Sequence, residues 1–166
     1  SEQTVSTPTT IFSSGVTSVS AGQNHTCAIV TSALYCWGDN SSRQIGSALS
    51  SPSIATPVLV LSSNVRRVSA GAAHTCAQVT DQLWCWGINT EGQVGSGSFL
   101  SREPLPVKVI DGDVGGVAAG GLHTCVYVSG SMRCWGDTGW GQLGVAPALP
   151  VRRAKDAIVV VSTFAY

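Results

Sequence analysis

Sulfur and imidazole are the side chains of this sequence best suited to metal binding or redox chemistry, and they come in a fixed constellation. His25 stands two places before Cys27, and Cys36 follows nine places later. The arrangement returns as His74, Cys76 and Cys85, and again as His123, Cys125 and Cys134. Three chemistries suit it: a zinc site, a redox pair or a covalent staple. Structural zinc takes four ligands. His25 and Cys27 would share one side of a strand, but no fourth Cys, His or acidic residue recurs in register. Redox exchange draws on C-x-x-C or a lone reactive thiol, and the sequence offers neither. A staple is favoured, and no metal or cofactor is expected.

The elements that must position these residues follow from the repeat. The three histidines are spaced by 49 residues, as are Trp37, Trp86 and Trp135 and the turns RQIG, GQVG and GQLG. The flanks keep the register: STPTTIFSSGV from Ser6 aligns with ATPVLVLSSNV from Ala55. PVLVLSSNVRRV from Pro57 aligns with PVKVIDGDVGGV from Pro106 and PVRRAKDAIVVV from Pro150. The third copy reaches its proline five residues early, so its loop is shortened. Each copy reads as four short strands: V-x-x-V-[SA]-A-G, a hairpin around the cysteines, and P-V-x-V. That content in one such repeat is the size of a β-propeller blade. No segment has the periodicity of a helix.

The expected fold is all-β, with blades of four antiparallel strands. Three repeats of 49 residues make a partial, open propeller or part of a larger one. The domain reading is one partial propeller over 1–166, with copies at about 16–64, 65–113 and 114–157. Residues 1–15 and 158–166 are read as parts of incomplete flanking blades, with a fourth copy opening at Ile158.

The residues V-x-x-V-[SA]-A-G-x-x-H-T-C-A and C-W-G-x-N-x-x-G-Q-x-G resemble the regulator of chromosome condensation repeat. The form with two cysteines per repeat is similar to that of secreted members. The resemblance implies a propeller that commonly has about seven blades. It says little of function, because the family includes exchange factors, inhibitors, light sensors and scaffolds. It also implies a structural role for His25, His74 and His123, with each ring satisfying backbone groups at a blade edge.

Six cysteines allow 15 pairings, and the threefold repetition and the hairpin register favour one. If Cys27 faces Cys36, then Ala28 faces Tyr35, Ile29 faces Leu34 and Val30 faces Ala33. Thr31-Ser32 are left as a two-residue turn, the commonest hairpin connection. The cysteines then form a non-hydrogen-bonded pair with Cα atoms about 4.5 Å apart, at the short end of the disulfide range. The expected pairs are Cys27–Cys36, Cys76–Cys85 and Cys125–Cys134. Such pairs point to an extracellular, secretory or periplasmic compartment.

Asn24 and Asn40 open acceptor triplets for N-glycosylation, Asn-His-Thr and Asn-Ser-Ser. An attached glycan there would be confined to the first blade. The in-register tryptophans read as blade core, while Trp84 and Trp140 do not recur and are open to a surface role. Arg43 replaces the glycine of the other two turns. If that position needs a positive φ, the first turn is expected to be reshaped.

Composition excludes whole classes. Nine basic and nine acidic residues cancel, which leaves no broad field for nucleic acid or an anionic membrane. Arg152, Arg153 and Lys155 are a weak basic cluster that a solvated strand edge explains equally. No apolar run approaches the roughly 18 residues of a membrane span. The carboxylates are scattered singly and the serines lie in no nucleophile elbow, so no enzyme is expected. The start at Ser1, without Met, suggests a processed or partial form.

Propellers close with about 4–8 blades, so three copies leave flat apolar end faces exposed. Association is the function expected first: a structural or protein-interaction module, with further blades, copies of itself or other subunits as partners. A lectin-like propeller is the alternative. An exchange factor for a Ran-type GTPase is a second alternative from the resemblance alone, opposed by cysteine pairing because the nucleus is reducing.

Overall fold

The computed structural model describes residues 4–145 and 158–160. All strands among them fall into three antiparallel sheets of four. The first holds β1 (Val16–Ala21), β2 (His25–Val30), β3 (Ala33–Asp39) and β4 (Ser53–Leu61), in that order. The second holds β5 (Val65–Ala70), β6 (His74–Val79), β7 (Gln82–Ile88) and β8 (Arg102–Ile110). The third holds β9 (Val114–Ala119), β10 (His123–Val128), β11 (Ser131–Gly136) and β12 (Ile158–Val160). Sheets stand side by side, with β1 against β5 and β5 against β9. No sheet closes on the others, so these are three blades of an open propeller. Among the described residues no helix is long and apolar enough to cross a membrane.

The hairpins have the predicted register: Cys27 faces Cys36, Cys76 faces Cys85 and Cys125 faces Cys134. Thr31 and Ser32 turn with φ 50° and 64°, and Ser129 and Gly130 with 49° and 77°. Positive φ at both central residues is the turn whose twist matches paired strands. A second turn recurs between blades. Gly15, Asn64 and Asp113 have φ 77°, 61° and 58°, and their carbonyls accept the amides of Thr31, Thr80 and Ser129. Gly, Asn and Asp are the residue types that tolerate this region. The outer strands β4 and β8 run nine residues each, longer than the P-V-x-V stretch suggests. As edge strands they accommodate Pro57, Pro104 and Pro106.

Two expectations are corrected. Ile158–Val160 does not open a fourth copy; it pairs with Met132–Cys134 as the outer strand of the third sheet. Three β-branched residues suit that strand. The aligned stretch from Pro150, with Arg152, Arg153 and Lys155, lies outside the described residues. The turn at Arg43 is not reshaped either. Arg43 adopts φ 66°, beside 77° and 74° at Gly92 and Gly141, and its amide bonds Asn40 O at 3.0 Å as Gly92 bonds Asn89 O at 3.1 Å. The guanidinium donates to Leu49 O at 2.9 Å.

The core lies between blades. Strand alternation gives every blade two faces. One, here the head face, looks to the preceding blade; the tail face looks to the following one. Cys27, Ile29, Leu34 and Cys36 from the first tail pack with Val65, Ala77 and Trp86 from the second head. Cys76, Leu83 and Cys85 meet Val114, Val126, Val128 and Trp135 in the same way.

Candidate functional site

The junction between blades is where the recurring residues converge. Nε2 of His25, on β2 of the first blade, lies 2.8 Å from Oγ1 of Thr75 on β6 of the second. Thr75 Oγ1 also lies 2.8 Å from the carbonyl of Gln44 in the first blade. A carbonyl only accepts, so the threonine hydroxyl donates to it and receives the imidazole N–H. Trp86 Nε1 donates to the same carbonyl at 2.9 Å. The second junction repeats the string: His74 to Thr124 at 2.9 Å, Thr124 to Gln93 O at 2.8 Å, Trp135 to Gln93 O at 3.0 Å. A further bond ties the inner strands, where Ser20 and Ser69 hydroxyls accept the amides of Ala70 and Ala119.

Close approach is built in. A Cβ on Gly71 would strike the His74 ring, and one on Gly46 would strike the Trp86 indole nitrogen. His25 and His74 therefore each bridge to a side chain of the next blade. This corrects the expectation that they serve backbone groups at their own blade edge. The His25 and His74 imidazoles are buried. Burial pushes His25 down to about 4, partly offset by the Asp39 carboxylate. Burial pushes His74 down to about 3, with the neighbouring histidines adding to the fall.

The turn that supplies the carbonyl is also held by side chains. Gln44 Nε2 donates to Asp39 Oδ2 at 2.8 Å, and Gln142 Nε2 to Asp137 Oδ2 at 2.7 Å. Burial raises the Asp39 pKa, but bonds from the Ser41 amide and hydroxyl and from Gln44 outweigh it and hold the carboxyl low. The second blade has Ile88 in place of the aspartate, and Gln93 Nε2 is buried without a partner.

The structure sorts the remaining candidates. The six cysteines form the three expected disulfides, each with Cα atoms 4.1 Å apart. Among the described residues no cluster could hold a metal. Trp86 and Trp135 are fully buried, while Trp37 is half-buried beneath Phe12, whose ring centroid is 6.2 Å away. Trp84 packs on the first junction, so of the two non-recurring tryptophans only Trp140 is exposed, at 92%.

Asn24 is exposed between β1 and β2. Asn40 is 2% exposed, and its amide donates to Leu49 O and Ser51 O while accepting from Ile45 N. Asn89 repeats these bonds. The folded chain has no room for a sugar on Asn40, which is a loop-organising residue. Sequence reasoning passed over Thr75, Thr124 and the glutamine carbonyls. The signal was present, because H-T-C and Q-x-G recur in the same register.

The end faces lack this cover. On the third tail, Tyr127 is 56% and Met132 46% exposed, whereas their counterparts Ile29 and Leu34 are at 1% and 0%. On the first head, Val16 is 45% exposed against 3% for both Val65 and Val114.

Four-stranded blades joined through head and tail faces define a β-propeller segment. The regulator of chromosome condensation (RCC1) repeat profile matches residues 32–78 and 80–127, and a second RCC1 repeat profile matches 16–44 and 65–93. The chain belongs to the RCC1 repeat family. Among solved structures it is similar to yeast RCC1 (Prp20) bound to Kap60, at TM-score 0.77 and 23% identity, covering 90% of this chain and 37% of that one. Prp20p from Saccharomyces cerevisiae gives 0.76, 21%, 90% and 39%. Human WBSCR16 gives 0.75, 23%, 90% and 38%. The chain thus spans under two-fifths of the length of each of these three chains. No curated protein matches its sequence.

Proposed function

We propose that this chain is a non-catalytic protein-interaction module of an oxidising, extracellular compartment, a disulfide-stapled propeller segment that joins further blades or subunits. One observation carries the reading: Tyr127 and Met132 are exposed at positions that the other two blades bury. Exposed apolar surface at a repeated packing site marks an interaction face. Three intramolecular disulfides and no free cysteine support the compartment. The yeast relative Prp20 supports association with protein, since it was solved with Kap60 and studied for its binding to Gsp1p and histones. The pairing of all six cysteines weighs against an exchange factor of the nucleus.

A lectin-like role has one observation in its favour, the exposed Trp140 at a turn tip. A photoreactive residue at position 132 or at position 140, in protein exposed to extracellular material from its source, separates the two. Protein adducts from position 132 are expected. Adducts from position 140 only, with binding on a glycan array, would overturn the interaction reading.

A further inference from the structure

We propose that Asn24 carries an N-linked glycan and that Asn40 does not. This rests on the extracellular reading above, because the sugar donor belongs to the secretory route that also pairs cysteines.

Both asparagines open acceptor triplets, Asn24-His25-Thr26 and Asn40-Ser41-Ser42. The fold treats them oppositely. Asn24 lies in the bend between β1 and β2, and it is exposed. Its carbonyl accepts the amide of Asp39 at 2.8 Å, which pins the backbone against the end of β3. Among the described residues its side-chain amide has no hydrogen-bond partner. A substituent on Nδ2 therefore costs the fold no bond.

That exposure does not depend on which blade carries the residue. Ala73 holds the matching place in the second blade, which has a neighbour on each side, and it is still part-exposed. Leu122 holds it in the third, behind a preceding blade, and is 38% exposed. The corner between the first two strands of a blade opens to solvent whether or not another blade packs beside it.

Asn40 is the contrary case. It is buried, and both hydrogens of its Nδ2 are in use, on Leu49 O at 3.1 Å and Ser51 O at 2.9 Å. A glycosidic bond replaces one of those hydrogens and drives a sugar into the loop that Asn40 organises. A chain modified there cannot close the loop between β3 and β4, so folded chains are those left bare at Asn40.

The modification is a group transfer. The donor is an oligosaccharide linked through its C1 to a polyprenyl diphosphate in the secretory membrane. Nδ2 of Asn24 attacks that carbon; the bond from C1 to the diphosphate oxygen breaks and a bond from C1 to Nδ2 forms. The polyprenyl diphosphate leaves, and the displaced Nδ2 proton passes to a base of the transferase. His25, the middle residue of the triplet, is buried in the folded chain, so transfer precedes folding.

The sugar then stands at the end of the first blade that also carries the loop between β3 and β4, where Leu49 is exposed. A bulky hydrated group keeps that end in solvent and leaves partners to the other surfaces.

The test is peptide mapping of the chain recovered from its source, before and after peptide N-glycosidase, which leaves aspartate where a glycan stood. A glycan at Asn24 and none at Asn40 is expected. In a eukaryotic secretory host, Asn24→Gln and Thr26→Ala are expected to lose the glycan and Thr26→Ser to keep it. Ser42→Ala removes the second triplet without touching the Asn40 amide, and is expected to leave glycan mass unchanged. A bare Asn24 in the source protein would overturn the proposal, as would sugar on Asn40 in folded protein. Thiol titration of the same sample separates the two readings. Paired cysteines with a bare Asn24 sink the glycan alone; six free thiols with a bare Asn24 sink the compartment as well.

Discussion

His25 Nε2 lies 2.8 Å from Thr75 Oγ1, and the two belong to different blades. The Nε2 of one H-T-C histidine is bonded by the threonine of the next motif. That relationship explains why the motif must recur in register: each copy completes its neighbour. Thr75→Val keeps the shape and removes the hydroxyl, leaving a buried imidazole N–H without an acceptor. The expected loss is about 1–3 kcal/mol, read from urea unfolding. Thr26→Val, on the free head face, is expected to change the isolated chain little. Equal losses at both positions would mean the threonines act within their own blades.

Acid should unfold the protein through its buried histidines. Their folded pKa values, about 4 for His25 and about 3 for His74, lie below the ordinary 6.5. The unfolded chain binds more protons between these values, so stability rises with pH there. It is complete above about pH 6.5 and falls as pH drops toward 4 and then 3, by about 1.4 kcal/mol per unit for each histidine. Urea midpoints at pH 7 and pH 5 measure the slope. His74→Gln should flatten it; an unchanged slope would remove His74 from the explanation.

The second blade carries a repairable fault. Gln93 Nε2 is buried and unpartnered where Gln44 and Gln142 have an aspartate. Ile88→Asp restores the acceptor and should stabilise by about 1 kcal/mol. It also places a carboxylate beside His74 as Asp39 stands beside His25, so the His74 pKa should rise in an NMR titration. A stability gain without that rise would show the aspartate had gone elsewhere.

The disulfides should act by restraining the unfolded chain. Each closes a short loop, worth about 2–3 kcal/mol on the chain-entropy account. Cys76→Ala with Cys85→Ala is expected to cost that much in urea unfolding, plus the packing lost between blades. Thiol titration of the folded wild type should find no free cysteine.

Much of the fold was legible because the repeat supplies three readings of one pattern. Cys27 facing Cys36 followed from counting inward from a two-residue turn, and the blade from four strand-like runs in one period. The junction was not legible in the same way. The sequence shows that His25 and Thr75 recur, but not that a head face brings one to the other. Arg43 was misjudged because the cost of a positive φ is small beside a turn fixed by Asn40, Gln44 and Asp39. Asn40 read as a sugar acceptor because a sequon carries no information on burial. The role of Ile158–Val160 was not legible because alignment with Val65 placed it at the start of a further copy, and the sequence does not show which strand it pairs with.

Met132 is the only methionine in the chain, and it lies at the centre of the open tail face. Its oxidation rate under dilute peroxide, compared between the isolated chain and the protein in its native setting, tests the account most directly. Fast oxidation in the isolated chain and strong protection in the native setting are predicted. Equal, fast oxidation in both would contradict a covered tail face.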